Sequence, residues 1–424
     1  LKLQNHITVF EHETLKTDKG EQKLTHAQFK ALEVLHGEKG TPYFSLIPSG
    51  VKFCEFVGVL HVGNTLIEIL PKADRKSSTE LQKEKWRDIL IGMLKAVGMF
   101  KIYAPSSSHL RLKSNSILDL YFELFIHEVE SILHTGLTKR YRKTEGNVSS
   151  LKGRLLFAKN IQKNLVHQER FYTDYTTFDY EHKLHFILYK ALLLLKVINT
   201  NLQLQSRIGA LLLNFPEMPD IKVSEETFVK LVYSKKTERY RKAIEIARLL
   251  LLNYHPDIAK GTNNVLALMF DMNMLWEKFV YVSIRKGLRS KLADYKISQQ
   301  PHKPFWQAET GRQSRIEPDI FISKDNDSYI LDTKWKILKD SKPSIEDLRQ
   351  MYVYHDYYEA KKTVLVYPGE EDKNTGGTYI HHITKQKTDK ECSIIQLSTK
   401  NTIKEWQDSI FKEFNDWAGL ILDR

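Results

Sequence analysis

Two short apolar runs bracketed by acidic residues constrain this chain more than any other feature. Pro318-Asp319 leads into Ile320-Phe321-Ile322, and Tyr329-Ile330-Leu331 runs into Asp332-Thr333-Lys334. Strand-forming residues on either side of a polar stretch, Ser323 to Ser328, predict a β-hairpin with that stretch as its loop. If Ile322 pairs with Tyr329, Asp319 falls directly opposite Asp332. Because side chains alternate along a strand, Lys334 shares their face. Like charges placed so are destabilising, and two carboxylates within about 4–6 Å cannot both ionise cheaply. A hard divalent cation between them removes the conflict. Mg²⁺ is the expected ion, since it takes oxygen ligands, keeps several waters and commonly uses one or two carboxylates with a substrate phosphate. Mn²⁺ is an expected substitute.

The surroundings predict a multidomain chain of the α+β or α/β class. Its 424 residues suit two to three domains. Residues 1–75 read as a small β-rich module. Its one helix opens on Thr25 and Gln28 with capping-box spacing, and its strands are separated by Pro48-Ser49-Gly50 and Gly63-Asn64. Ala73 to Thr79 is the expected linker. Residues 80–265 carry mainly helical spacing, with helices over Leu81 to Val97, Ile117 to Leu133, His182 to Ile198 and Tyr240 to Leu252. Residues 266–424 mix the two, with helices near Met269 to Ile284, Ile345 to Tyr358 and Thr402 to Leu422. Strands are expected at Arg315 to Ile322, Tyr329 to Lys334 and Thr363 to Tyr367, with further ones at Thr378 to Ile383 and Ser393 to Leu397.

Charge points to a polyanionic partner. Lys and Arg number 64 against 52 Asp and Glu, for a net +12. More than half of that surplus lies in Gly136 to Arg170, where Lys139, Arg140, Arg142, Lys143, Lys152, Arg154 and Lys159 stand among nine basic residues. A second basic knot occupies 235–242. Cys54 and Cys392 are too few for a disulfide framework or a thiolate-held cluster. With no apolar run of membrane length and no signal-like core in Leu1 to Glu13, a cytoplasmic location is expected. No G-x-x-x-x-G-K-[ST] occurs, so no nucleotide is expected on this chain and any energy source lies in another subunit.

Lys334 beside a cation is an odd structural choice but a useful chemical one. An amine there orients the attacking water and stabilises the charge that builds on a phosphorane. Pro-Asp followed by Asp/Glu-x-Lys is the signature of the PD-(D/E)xK nuclease fold, a mixed sheet flanked by helices. The tripeptide alone is weak, since Glu21-Gln-Lys23, Glu181-His-Lys183, Asp220-Ile-Lys222 and Glu359-Ala-Lys361 also fit. None of these follows a Pro-Asp strand and a polar loop. Two more residues fall where this fold expects them. Glu277, on the preceding helix, is a candidate to complete the metal site, and Gln350 with Tyr354 forms a Gln-x-x-x-Tyr pair like that of RecB-like nucleases.

The chain resembles McrC, the nuclease subunit of McrBC-type modification-dependent restriction systems. The likeness rests on Leu151-Lys-Gly-Arg-Leu-Leu-Phe-Ala-Lys-Asn-Ile161, Lys236-Thr-Glu-Arg-Tyr240, Met272-Asn-Met-Leu-Trp-Glu-Lys-Phe279, Ile330-Leu-Asp-Thr-Lys334 and Gln350 to Tyr354, in family order. It implies a DNA endonuclease subunit that partners McrB, a GTP-hydrolysing AAA+ ring, and stimulates its activity. It further implies that Asp319, Asp332 and the Thr333 carbonyl hold the metal, that Lys334 positions water, and that Glu277 and Gln350 assist. The basic stretch would meet DNA phosphates or the partner's pore, and the two remain open. Two other readings compete: a non-catalytic, DNA-binding activator of the motor built on a nuclease fold, and a stand-alone RecB-like repair nuclease.

Overall fold

A computed structural model describes residues 5–17, 20, 23–38, 40–62, 65–72, 79–98, 117–255, 265–309, 311–338, 342–400 and 402–420. The turn at Gly63-Asn64 and residues 73–78 of the expected linker lie outside these. The chain forms two compact units, one of residues 1–4 and 108–268 and one of residues 5–107 and 269–424. This grouping differs from the three consecutive domains expected. The N-terminal module and the helix Glu80–Ala96 belong with the C-terminal domain, not apart from it or with the middle region. Among the described residues no helix is long and apolar enough to cross a membrane.

The larger unit is built around a mixed sheet. Its strands run in the order Lys296–Gln299, Ile320–Lys324, Asp327–Thr333, Lys362–Gly369, Lys387–Ser398 and Lys373–Thr375, and Thr378–Ile380 also pairs with Lys387–Ser398. Asp327–Thr333, Lys362–Gly369 and Lys387–Ser398 are mutually parallel, whereas the pairings at both edges are antiparallel. Parallel neighbours need a crossover, and the helix Ile345–Tyr357 supplies it between the first two. Met351, Tyr354 and Tyr358 bury this helix end against Ile330, Leu365, Tyr367 and Ile394, which alternate along three strands and therefore share a face. Elsewhere in the unit an aromatic cluster joins the helices Met272–Lys291, Ile403–Ala418 and Glu80–Ala96. Trp276 lies 5.5 Å from Trp406 and 5.4 Å from Trp335, whose ring stands edge-on to Trp86.

The expected hairpin forms in the expected register, Ile322 opposite Tyr329 and Ile320 opposite Leu331. Its loop is shorter than expected. Ser323 pairs with Ser328 and Lys324 with Asp327, leaving only Asp325 and Asn326 to turn. Asp325 takes a positive φ of 51°, a conformation that Asp tolerates better than most residues, so the ladder can run two pairs further. The strand expected from Arg315 to Ile322 is interrupted. Gln313–Ile316 pairs with Lys303–Gln307, and a new strand starts at Ile320. Pro318 sits in the break, where its missing N–H removes a ladder donor.

The N-terminal module pairs Asn5–Phe10 parallel to Thr65–Leu70, which pairs antiparallel to Phe56–Val62. A second small sheet orders Thr14–Lys16, Gly50–Phe53 and Phe44–Ile47. The capping box at Thr25 and Gln28 is present, opening the helix His26–His36. Glu68, fully buried, accepts from Arg87 Nε at 2.7 Å and so ties this module to the helix Glu80–Ala96.

In the other unit the helices Ile117–His134, Lys183–Ile198, Leu202–Asn214 and Arg241–Leu252 match the helical spacing. The basic stretch takes a form not read from the sequence. Arg140–Val148 and Phe171–Asp179 make a nine-pair antiparallel ribbon, and the short strand Arg154–Leu155, which pairs with the second of them, and the helix Phe157–Asn164 lie between the two in the chain. Gly153 takes φ +76°, and a side chain there would run into the Asp174 carbonyl. That explains why the Leu151-Lys-Gly-Arg stretch needs a glycine.

Candidate active site

Asp319 lies one residue before its strand, at the position that continues the ladder opposite Asp332. Its Oδ2 accepts from the Thr333 backbone N–H at 2.6 Å and the Thr333 hydroxyl at 2.7 Å. One side chain thereby bridges the hairpin where the ladder stops. Asp332 is 1% exposed, and Lys334 Nζ approaches its Oδ2 to 2.7 Å. The Lys334 N–H donates to Val366 O at 2.9 Å, which carries the strand edge past Thr333 and fixes the backbone beneath the amine. The three groups expected to converge do so.

Electrostatics follow from this packing. Burial, then the negative charge of Asp319, raises the Asp332 pKa above the ordinary carboxylate range. Burial raises that of Asp319 as well, against the two Thr333 hydrogen bonds. Burial works against the Lys334 ammonium, yet Asp332 and Asp319 outweigh it and keep its pKa above the usual lysine value. One buried and one half-buried acid beside one ammonium carry more negative charge than that ammonium balances. A hard divalent cation would complete that balance, so the residues present fit Mg²⁺ or Mn²⁺.

The fit is to a site with few protein ligands. Among the described residues, no three His, Cys, Asp or Glu side chains come together to hold a metal. Glu277 is buried on its helix and engaged elsewhere: Gln299 Nε2 donates to its Oε1 at 2.8 Å and Gln300 Nε2 to its Oε2 at 3.4 Å. Its pKa is raised by burial and then by Asp319, which sets it beside the pair without making it a third member. Gln350 Nε2 donates to the Tyr354 hydroxyl at 2.8 Å, and that hydroxyl donates to the Glu317 carbonyl at 2.8 Å. The Gln-x-x-x-Tyr pair thus holds the backbone two residues before Asp319. Tyr354 also packs in the core.

Sequence reasoning missed two supports. Trp335 Nε1 donates to Glu11 Oε1 at 2.7 Å, so a buried carboxyl of the N-terminal module grips the residue after Lys334. Asp347 accepts from Lys336 Nζ at 2.6 Å and from the Tyr367 hydroxyl at 3.0 Å. Only the alternating pattern after Lys334 hinted at the second, and nothing local pointed to the first across more than 300 residues.

The basic residues lie in the other unit and do not belong to this constellation. Lys139, Arg140, Arg142, Lys143, Lys152, Arg154 and Lys159 are all exposed. Arg142 pairs with Glu181 at 2.7 Å and Asp179 at 3.1 Å, and Lys159 pairs with Glu145. Lys139 lies 4.8 Å over the Tyr180 ring and Lys152 4.9 Å over Tyr175.

This architecture has a counterpart among solved structures. It resembles the McrC-bearing half-complex of Thermococcus gammatolerans McrB AAA+ hexamers with bound McrC, at TM-score 0.71 and 19% identity, covering 97% of this chain and 100% of that one. A second structure, the Thermococcus gammatolerans McrBC complex, aligns at TM-score 0.48 and 20% identity over 67% of this chain and 88% of that one. No curated protein matches the chain. The profile of the McrBC 5-methylcytosine restriction system component matches residues 51–368, and the chain belongs to that family.

Proposed function

We propose that the chain is the DNA-cleaving subunit of an McrBC-type restriction assembly, a metal-dependent endonuclease that binds and stimulates a GTP-hydrolysing AAA+ ring of the McrB kind. The observation that carries this reading is the meeting of Asp319 and Asp332 at the end of one hairpin with Lys334 2.7 Å from Asp332. Membership of the McrBC family supports the assembly and its class of partner.

In this reading Asp319, Asp332 and the Thr333 carbonyl hold Mg²⁺, or Mn²⁺ in its place. Such an ion, when bound, supplies Lewis acidity that lowers the pKa of a water and screens the phosphate charge. Thr333 orients the Asp319 carboxylate through two hydrogen bonds. Lys334 donates to the attacking water and to the phosphate oxygens as charge accumulates on them. Glu277 and Gln350 act one step removed, Gln350 by holding Tyr354 against the chain that leads to Asp319. The exposed basic ribbon is the surface offered to DNA or to the partner ring. Its Tyr141 and Phe178 rings, both exposed and 4.6 Å apart, add an apolar contact to the charge.

The test is the full chain carrying Asp332→Asn, assayed with an McrB-type partner, GTP, Mg²⁺ and modified DNA. Cleavage should vanish while GTP turnover stays stimulated. Undiminished cutting by this variant would remove the site assignment. Cutting by the wild type with neither partner nor GTP would favour the stand-alone repair nuclease instead.

A further inference from the structure

Lys334 stands where regular structure ends. The strand Asp327–Thr333 stops one residue earlier, and from Lys334 to Leu338 the backbone joins no ladder. One bond, from its N–H to Val366 O, ties the residue itself to the sheet. Whatever holds the next residue therefore sets the direction in which the ammonium leaves the chain. That residue is Trp335, which is buried. Its ring lies 5.4 Å from Trp276 and edge-on to Trp86 at 6.5 Å. Trp276 Nε1 in turn donates at 3.4 Å to Val366 O, the carbonyl that also takes the Lys334 N–H. Packing thus seats the Trp335 ring, and one directional contact completes the seat: its Nε1 donates to Glu11 Oε1 at 2.7 Å.

Glu11 is a costly group to place there. It is buried, its Oε1 also accepts from the Lys72 N–H at 2.9 Å, and its Oε2 is enclosed with no hydrogen-bond partner. Glu68, another buried carboxyl of the N-terminal module, is matched by the Arg87 guanidinium, whereas no cation pairs with Glu11 among the described residues. A buried acid with one oxygen unmatched is destabilising, and an apolar side chain would seat the module on Trp335 without that cost. What an apolar contact lacks is direction. A hydrogen bond fixes the orientation of the indole plane, which the non-directional packing of rings does not.

Resting on the cleavage reading, we infer that Glu11 is a positioning residue for cleavage: through the Trp335 indole it sets the backbone from which Lys334 reaches the scissile phosphate, and it makes the N-terminal module part of the cleavage machinery. Its action falls on the amine and not on the acids. Asp319 and Asp332 are placed by the hairpin ladder and the two Thr333 bonds, so cation binding does not depend on Glu11.

The test is single-turnover DNA cleavage by the full chain at saturating McrB-type partner, GTP and Mg²⁺, run beside Mn²⁺ binding and thermal melts. Glu11→Ala should slow cleavage about tenfold or more, since a displacement of about 1 Å at a reacting group can cost on the order of 10²-fold. Mn²⁺ affinity should not change. Glu11→Gln, which keeps an acceptor for the indole, should restore most of the rate. On a Lys334→Gln background Glu11→Ala should slow cleavage no further, because the group it positions is gone. Trp335→Phe removes the donor but keeps a ring in the stack, and it takes the place of Glu11→Ala if that variant does not fold. Full-rate cleavage by the folded variant, a Glu11→Gln chain as slow as Glu11→Ala, an undiminished further loss on the Lys334→Gln background, or lost Mn²⁺ binding each overturns the inference. A wild type that cuts alongside an equally active Glu11→Ala sinks this inference alone, whereas a wild type that never cuts sinks the cleavage reading and this inference with it.

Discussion

The hairpin that carries Asp332 and the ribbon that carries Arg140, Arg142 and Lys143 are both antiparallel pairings rich in charge, yet they use it in opposite ways. The hairpin draws the charges at its open end, Asp319, Asp332 and Lys334, away from full solvent. Asp332 is almost fully enclosed, its proton affinity is raised, and its amine partner stands at contact distance. The ribbon buries almost nothing; Arg140 to Lys143 are exposed along its first strand. Desolvated charges are costly and must be matched atom by atom, which suits chemistry; solvated charges cost little and act at a distance, which suits association. A few buried groups therefore define the reaction, and many exposed ones define the encounter.

The largest effects should follow from breaking the hairpin set. Lys334→Gln is expected to lower partner-dependent DNA cleavage by roughly 10²–10³-fold, with GTP turnover of the ring unaffected, as measured by single-turnover cleavage and phosphate release. A loss below about threefold would mean that the amine is not used. Reversing charge on the ribbon, Lys143→Glu with Arg154→Glu, should do the converse. Association with DNA or with the ring weakens by about tenfold or more and loses salt dependence, while divalent-ion binding stays intact. Loss of ion binding in that double variant would contradict the separation of roles.

A pH titration sharpens the contrast at an intermediate scale. In the unit that carries the ribbon, burial lowers the His185 pKa to about 4. Its ring bonds the Tyr240 hydroxyl at 3.0 Å and the Tyr180 carbonyl at 2.6 Å. The unfolded chain takes up this proton near pH 6.5 and the folded one only near 4, so stability is full above 6.5 and falls as pH drops between them, by on the order of 3 kcal/mol. In the unit that carries the hairpin, burial raises the Glu11 pKa to about 7 from 4.5. There the unfolded chain ionises first, so stability falls as pH rises from about 4.5 through 7, by a similar amount. Amide exchange resolved by unit should show opposite trends, and Glu11→Gln should weaken the second, to which the raised Asp332 also contributes. Parallel trends would refute the burial assigned to these groups. The smallest effect is expected on the ribbon surface, where Arg142→Ala should shift stability by less than about 1 kcal/mol in thermal melts despite two ion pairs.

What the sequence disclosed follows the same division. The hairpin was readable because strand alternation and one pairing fix every other position, and the register from Ile322 and Tyr329 carried Asp319 to Asp332 without further information. Its loop was misjudged because Ser323 to Ser328 is polar, and polarity does not distinguish an exposed strand end from a turn. The ribbon escaped for a related reason. With no residue of it fully buried, Arg140–Val148 shows no apolar alternation, so only its charge was visible. The joining of the N-terminal module and of the helix Glu80–Ala96 to the C-terminal domain was hidden because it rests on contacts remote in sequence, Glu11 with Trp335 and Trp86 with Trp335, which no local pattern encodes.

The central claim is that Asp319 and Asp332 form one centre for a divalent cation, and Mn²⁺ binding followed by electron paramagnetic resonance on the full chain addresses it without requiring turnover. The wild type should bind one Mn²⁺ that Mg²⁺ displaces, and Asp319→Asn and Asp332→Asn should each abolish it while far-ultraviolet circular dichroism stays unchanged. Undiminished Mn²⁺ binding in either folded variant would contradict the account.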